Sequence, residues 1–299
     1  MQKKSSFSTQ GQRADIGELE IYRMLPNRYA DAVGPFVFLD HIVPTIQTRV
    51  NKEGTGAHPH RGIATLTYIL NGEDEHFDSA GNYAMVHSGG VQWMNAGNGI
   101  IHDETLNYDS RTDSRLVHAF QFWINLPSVI KAEKPAYMAI QADDVPRKDL
   151  PEGKGWIKVI AGKFGELRSA IPDHSEQFLY HIHLEAGGVF QLPLAAELES
   201  AAYLPETPGV INGESFSAGD FIEFDRKEGL IELRNEAQKA GDFLLFGGGP
   251  YQEPIFAEGP FVMNSKVDTA IAYRDFYNGE YGKIDYEKQR AQASKRSVQ

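Results

Sequence analysis

Cysteine is absent from the 299 residues, which removes disulfides, thiolate metal sites and cysteine nucleophiles at once. Long apolar runs are absent too: none approaches the roughly 18 uninterrupted apolar residues of a membrane span. The opening MQKKSSFSTQGQRADIGELEIYRML holds no apolar stretch of the signal-peptide kind. The expectation is a soluble, cytoplasmic chain with no membrane partner. Basic charge is scarce, with 29 Lys and Arg against 41 Asp and Glu and a net charge of −12. Neutralising nucleic-acid phosphates needs clustered cations. The one basic concentration is the terminal YGKIDYEKQRAQASKRSVQ, read as a solvated tail, so direct nucleic-acid binding is not expected.

Segments with a sustained 3.6-residue period are also few. Instead, short apolar and aromatic runs such as TLTYIL, LVHAFQFWINL, WIKVIAG, FLYHIHL and DFLLFGG alternate with Gly, Pro, Asn and Asp, a pattern of strands and turns. Short helices are expected near residues 267–277 and within the last twenty. ILNGE at 69–73 echoes VINGE at 210–214, each read as an Asn-Gly hairpin, and SGGVQWM at 88–94 echoes SAGDFIEF at 217–224. The fold class is therefore all-β, two antiparallel β-barrels of similar plan with a few short helices. Residues 1–130 form the first barrel and 131–155, rich in Pro and charge, the linker; 156–280 form the second barrel and 281–299 a C-terminal tail.

The chemistry concentrates in two places. GAHPHRG carries His58 and His60 where a strand begins, and NAGNGIIHDE carries His102 and Glu104. Residues i and i+2 of a strand share a face, about 7 Å apart. Each pair therefore presents two ligands to one side, while Asp103 points the other way. Three imidazoles and a carboxylate suit Fe, Mn, Co, Ni, Cu or Zn. With two positions left for water or substrate, such a site is catalytic rather than closed.

HPHRG followed by QWMNAGNGIIHDE resembles the pirin family of the cupin superfamily, as do GPFVFLDH at 34–41 and EPIFAEGPFVMN at 253–264. The resemblance covers nearly the whole chain. It implies a bicupin of jelly-roll type with one mononuclear divalent metal, most often Fe(II), in the N-terminal barrel, its ligands His58, His60, His102 and Glu104. Where cupins in general place a Glu three or four residues beyond HxH, this chain has Ala64 and Thr65, so the carboxylate is Glu104. Some pirins are similar to flavonol dioxygenases, which implies a quercetin-type aromatic substrate and O2. Glu104 is then also the catalytic base for the substrate hydroxyl, and FQFWI with Trp93 reads either as the aromatic wall or, equally, as ordinary barrel core. Other pirins act through protein partners, as transcriptional co-regulators or modulators of metabolic enzymes, and that is the alternative.

The remaining histidines are weaker candidates. His181 and His183 form a second HxH, but no histidine follows them. The positions that would answer His102 and Glu104 in the second copy fall near Ile231 and Leu233, so that barrel is expected to be structural. His118, alternating with Phe120 and Phe122, is read first as structural, with a place facing the interior near the ion as the other reading. Sequence does not place His41, for which the pocket mouth is one position; His76 and His87 are read as exposed beside a hairpin.

Overall fold

The computed structural model describes residues 1–296, and its regular structure is mostly antiparallel strand. The sequence alternation is visible in burial: along Val189–Leu194 the residues run exposed, buried, exposed, buried, exposed, buried. One side of such a strand faces a core and the other water. The sheets pack as open jelly-roll sandwiches rather than closed barrels. Helices are few, the longest being Lys266–Tyr277, capped by the Ser265 side chain, and Tyr286–Arg296. No helix among the described residues is long and apolar enough to cross a membrane.

The chain divides into two compact units that are each discontinuous. One comprises Met1–Arg13, Tyr22–His41 and Val145–Tyr251; the other comprises Ala14–Ile21, Ile42–Asp144 and Gln252 onward. This differs from the contiguous division expected about a linker at 131–155. The physical reason is nonlocal pairing: Ser5–Gln10 adds to the edge of a later strand, Asp220–Phe224, and no local pattern announces that. The tail is corrected as well. Within its unit, Gln289 donates to the Asp78 carbonyl (2.8 Å), Tyr286 to Asp103 (2.8 Å), and Arg290 pairs with Glu75. Residues 297–299 of that expected tail lie outside the described residues.

In the first unit, one sheet runs Ser5–Gln10, Asp220–Phe224, Glu199–Tyr203, Gly241–Gly248, Gln177–Leu184, Gly155–Ala161, Arg147–Asp149. The facing sheet holds Val189–Leu194 and Gly229–Arg234. Between them lies an apolar core that includes Ile157, Ile182, Phe190, Phe224, Ile231, Leu233 and Phe243. Its Asn212-Gly213 turn is a two-residue hairpin between Ile211 and Glu214, with φ of 51° and 83°, the left-handed pair that a type I′ turn needs.

The second unit has a four-stranded sheet in the order His58–His60, Ile100–Asn107, Glu73–Asp78, Tyr83–His87. Its other sheet includes Ala136–Ile140, Val91–Asn95, Ile63–Asn71 and Leu116–Asn125. Here Asn71-Gly72 is not a hairpin. The chain changes sheets there, at a glycine with φ 120° whose added Cβ would meet the Asn107 carbonyl at 2.5 Å. The interior differs in kind from that of the first unit: Asp74, His76, Asp78, Gln92, His102 and Glu104 are all buried. Burying polar groups is costly unless they are paired or serve a purpose.

Candidate metal centre

Antiparallel pairing brings the two sequence motifs together. His102 lies in register with His58, and Ile100 with His60. The ring centroids of His58, His60 and His102 stand 4.4–5.0 Å from one another. His58 directs Nδ1 to the Gly56 carbonyl (2.7 Å) and His60 to the Pro260 carbonyl (3.1 Å). A carbonyl only accepts, so in both rings Nδ1 carries the hydrogen and Nε2 keeps its lone pair. The Nε2 atoms of His58 and His102 face each other at 3.0 Å. Ligands about 2.1 Å from an ion and at right angles to one another are separated by about that distance, so the donor set fits a divalent transition metal. Burial first, and then the repulsion that two protonated rings would feel beside each other at His58 and His60, holds His60 down to about 3. His102 is held well below its ordinary value by burial first, and then by the repulsion its protonated form would meet from protonated His58, His60 or His76. Both rings stay neutral, as ligation requires.

Glu104 belongs to a second group. The three histidines converge with their ligand atoms within 4.8 Å, and Glu104 makes a comparable group with His102 and His76. Its Oε2 accepts from Gln121 Nε2 (3.0 Å) and its Oε1 from Thr67 Oγ1 (3.5 Å). Gln121, Thr67 and Gln92 form one row across three strands, so a polar stripe of one sheet faces Glu104 on the other. Asp103 points away, accepting from the Gly56 N–H (3.1 Å) and the Tyr286 hydroxyl. A cavity of about 800 Å³ reaches Glu104, walled by Ile16, Leu19, Val50, Asn51 and Leu106 among others.

His76 is the residue that the sequence reading misses. It is fully buried, not exposed, and lies opposite Glu104 in the Ile100–Asn107/Glu73–Asp78 ladder. Nε2 contacts Asp78 Oδ2 at 3.2 Å, Nδ1 lies 3.8 Å from Glu104 Oε1, and Tyr137 stacks on the ring at 4.1 Å. Burial pushes His76 down, yet the Asp78 and Glu104 carboxylates outweigh it and lift the imidazole to about 9. The signal was in EDEHFD, where Asp74, His76 and Asp78 repeat the i, i+2 spacing of the other pairs. Asp74 is buried behind this group, bonded to Gln92, which accepts from Tyr137; burial, then the Glu104 charge, pushes it well up.

Other candidates fall elsewhere. His87 is half-buried rather than exposed, with Nδ1 3.4 Å from Glu73 and 3.3 Å from Asp109. His118 is buried against Phe120 at the Asn71 end of its strand, and from that strand Trp123 and Gln121 are the residues that touch the centre. Trp123 packs on His60 at 5.0 Å. Phe122 and Trp93 are in register with Leu66, on the opposite face from Thr67 and Gln121, so they build core rather than a site wall. His41 lies in the interior of the other unit, bonded to the Tyr203 hydroxyl (2.7 Å), not at a pocket mouth. His181 and His183 both bond to one oxygen of Asp242, at 2.9 and 2.7 Å, so a carboxylate satisfies that pair. Ile231 and Leu233 are fully buried apolar core.

The pirin family model matches residues 18–124, and the model for the pirin C-terminal cupin domain matches residues 179–282. A pirin-like protein of Caulobacter vibrioides is 31% identical over 271 residues, 90% of this chain and 95% of its own. The crystal structure of a quercetin 2,3-dioxygenase from Acinetobacter baumannii superposes with a TM-score of 0.86 at 30% identity, covering 95% of this chain and 100% of that one. Escherichia coli YhhW, a bacterial pirin solved in complex with nickel(II), shares the fold with a TM-score of 0.60 at 24% identity, over 82% of this chain and 99% of its own.

Proposed function

The chain belongs to the pirin family, and from that premise we propose that it is a dioxygenase acting on flavonols with O2. On this reading it uses one divalent transition metal, iron(II) foremost, held by His58, His60, His102 and Glu104. The observation that carries the reading is the facing pair of Nε2 atoms, 3.0 Å apart, on half-buried His58 and buried His102, with His60 beside them and both His60 and His102 held neutral. A metal there would supply Lewis acidity toward a deprotonated substrate hydroxyl and a path for electrons to O2.

The chain's own residues do the rest. The cavity, about 800 Å³, has room for a tricyclic aromatic with hydroxyl substituents. Leu19, Val50 and Leu106 give it apolar walls, and Glu104 is among the residues that line it. A flavonol entering ring-first brings its 3-hydroxyl toward that carboxylate, which accepts the proton. Gln121 keeps one oxygen of Glu104 oriented while this happens, and His76, with both ring nitrogens facing carboxylates, balances the negative charge beside it. Trp123, packed on His60, keeps water from that side of the ring.

The test is O2 uptake by iron-loaded protein with a panel of flavonols and catechols. Turnover above that of free iron in the same buffer supports the reading. Turnover equal to free iron across the panel defeats it and leaves the partner-dependent regulatory role.

A further inference from the structure

Glu104 Oε1 lies 3.8 Å from each of two ring nitrogens, His102 Nδ1 and His76 Nδ1. Both nitrogens are shielded from water and make no hydrogen bond. The two rings differ in what stands behind them. His102 directs its Nε2 toward the other imidazoles, whereas His76 directs its Nε2 to Asp78, whose carboxylate is fixed by four donors. Oδ1 takes the Ala80 and Asn82 N–H groups, at 3.0 and 2.9 Å, and Oδ2 takes Asn82 Nδ2 at 2.8 Å as well as His76. Tyr137, stacked on His76 within 14° of parallel, prevents the ring from turning.

Resting on the metal reading above, we propose that His76 is a positioning residue for Glu104. Asp78 and Tyr137 hold the imidazole so that its Nδ1 hydrogen is directed at one carboxylate oxygen while Gln121 holds the other. The carboxylate's rotation, and with it the way it meets an ion, is then set from both sides. Partners of a ligand contribute in this way when they fix its orientation before the ion arrives. A structural role for His76 would need its size, its stack on Tyr137 and its Nε2 bond to Asp78, which His76→Asn does not restore. The positioning role needs a donor at Nδ1.

Cobalt(II) titration of the full-length protein separates the two. His76→Phe keeps the ring and loses the donor; His76→Asn places an amide N–H near the Nδ1 position. The expected result is about ten- to hundredfold weaker Co(II) binding for His76→Phe, with an altered visible ligand-field band. His76→Asn should restore both affinity, to within about threefold, and band. In a Glu104→Gln background His76→Phe should add little, because the two act through one carboxylate. Wild-type affinity and spectrum in His76→Phe overturn the proposal, and so does His76→Asn behaving like His76→Phe. A check free of substitution at position 76 is the histidine 15N spectrum of the Zn(II)-loaded protein. It should show a slowly exchanging His76 Nδ1–H that moves when Glu104 becomes Gln, and a rapidly exchanging one overturns the proposal. Failure of unsubstituted protein to take up Co(II) at all is a different outcome, which overturns the metal reading and this proposal with it.

Discussion

His58 and His102 face each other nitrogen to nitrogen, Nε2 to Nε2, at 3.0 Å. With His58 Nδ1 turned to a carbonyl, the His58 nitrogen in that pair is a lone pair. In the metal-free protein that lone pair can accept a hydrogen from His102 Nε2, and a divalent cation bound between the rings would take that hydrogen's place. The contact also depends on strand register, since a shift of one residue would send His102 to the opposite face.

Metal content follows directly. The purified protein should hold about one transition-metal ion per chain. His60→Ala should reduce this to less than about one-tenth, whereas His181→Ala should leave it unchanged, because Asp242 already occupies that ring. Elemental analysis decides, and a full equivalent in His60→Ala contradicts the assignment.

Glu104 should separate binding from chemistry. Glu104→Gln keeps the bonding pattern with Gln121 and Thr67 largely possible but removes the proton acceptor. Turnover of a flavonol should fall by about 10²- to 10⁴-fold, with metal occupancy falling far less. Parallel loss of both would make Glu104 a ligand only.

Much of this site was legible before the fold was known, for a definite reason. The i, i+2 pairs at His58/His60 and His102/Glu104 carry their own geometry, because strand pleating alone puts each pair on one face. His76 carried the same spacing with Asp78 but sat beside acidic residues in GEDEHFD, which reads as a solvated hairpin. Its burial comes from pairing with Ile100–Asn107 and from the Tyr286–Arg296 helix docking over Asp78 and Glu75, contacts far away in sequence. The Asn-Gly at 212–213 and the one at 71–72 look alike locally, yet one closes a hairpin and the other crosses between sheets. At 212–213 both residues take positive φ, whereas at 71–72 only Gly72 does, so the partners of the flanking strands decide both the turn and what it connects.

The metal-free protein should show two opposed pH dependences. His60, held to about 3 chiefly by burial, stays neutral where the unfolded chain takes a proton near 6.5. Between those values the unfolded state binds more protons, so stability from this group is full above about pH 6.5 and is lost as pH falls toward 3. His76 is raised to about 9 against the opposing effect of burial. Its contribution is full below about pH 6.5 and is lost as pH rises through 9. Thermal melts should therefore show the advantage over His60→Gln shrinking on the acid side and the advantage over His76→Asn shrinking on the alkaline side. Differences that do not vary with pH would contradict both.

In the other unit, Leu233 is wholly buried within an apolar core. Leu233→Ala should lower unfolding free energy by about 2–5 kcal/mol in a denaturant titration while metal content stays at one equivalent. Loss of metal in a still-folded variant would give that core a part in the site.

Gly54 should govern access to the cavity without touching the ion. The segment from Arg49 to Thr55 forms one wall of the cavity that Glu104 also lines. It is fastened along the Ile100–Asn107 strand: Thr55 donates to the Glu104 carbonyl at 2.8 Å, Gly56 to Asp103 at 3.1 Å, and Asn51 exchanges bonds with the Asn107 side chain at 2.7 and 3.1 Å. Gly54 lies at the closest approach. A Cβ added there would meet Asp103 Oδ1 at 2.2 Å, the Glu104 carbonyl at 2.8 Å and Thr105 Oγ1 at 2.8 Å. Two of those are side-chain atoms, but the Glu104 carbonyl is backbone of the ligand strand and gives way poorly. Relief therefore comes from the wall moving outward. Gly54→Ala should widen the cavity mouth and weaken the apolar grip on a planar substrate, raising KM by about tenfold, equivalent to about 1.4 kcal/mol of binding. The histidine strands are not displaced, so metal content should remain at one equivalent. Steady-state O2 uptake against flavonol concentration, run beside elemental analysis, reads both quantities. An unchanged KM would mean that the segment is not a wall of the substrate path, and loss of metal would mean that the strap supports His58 instead.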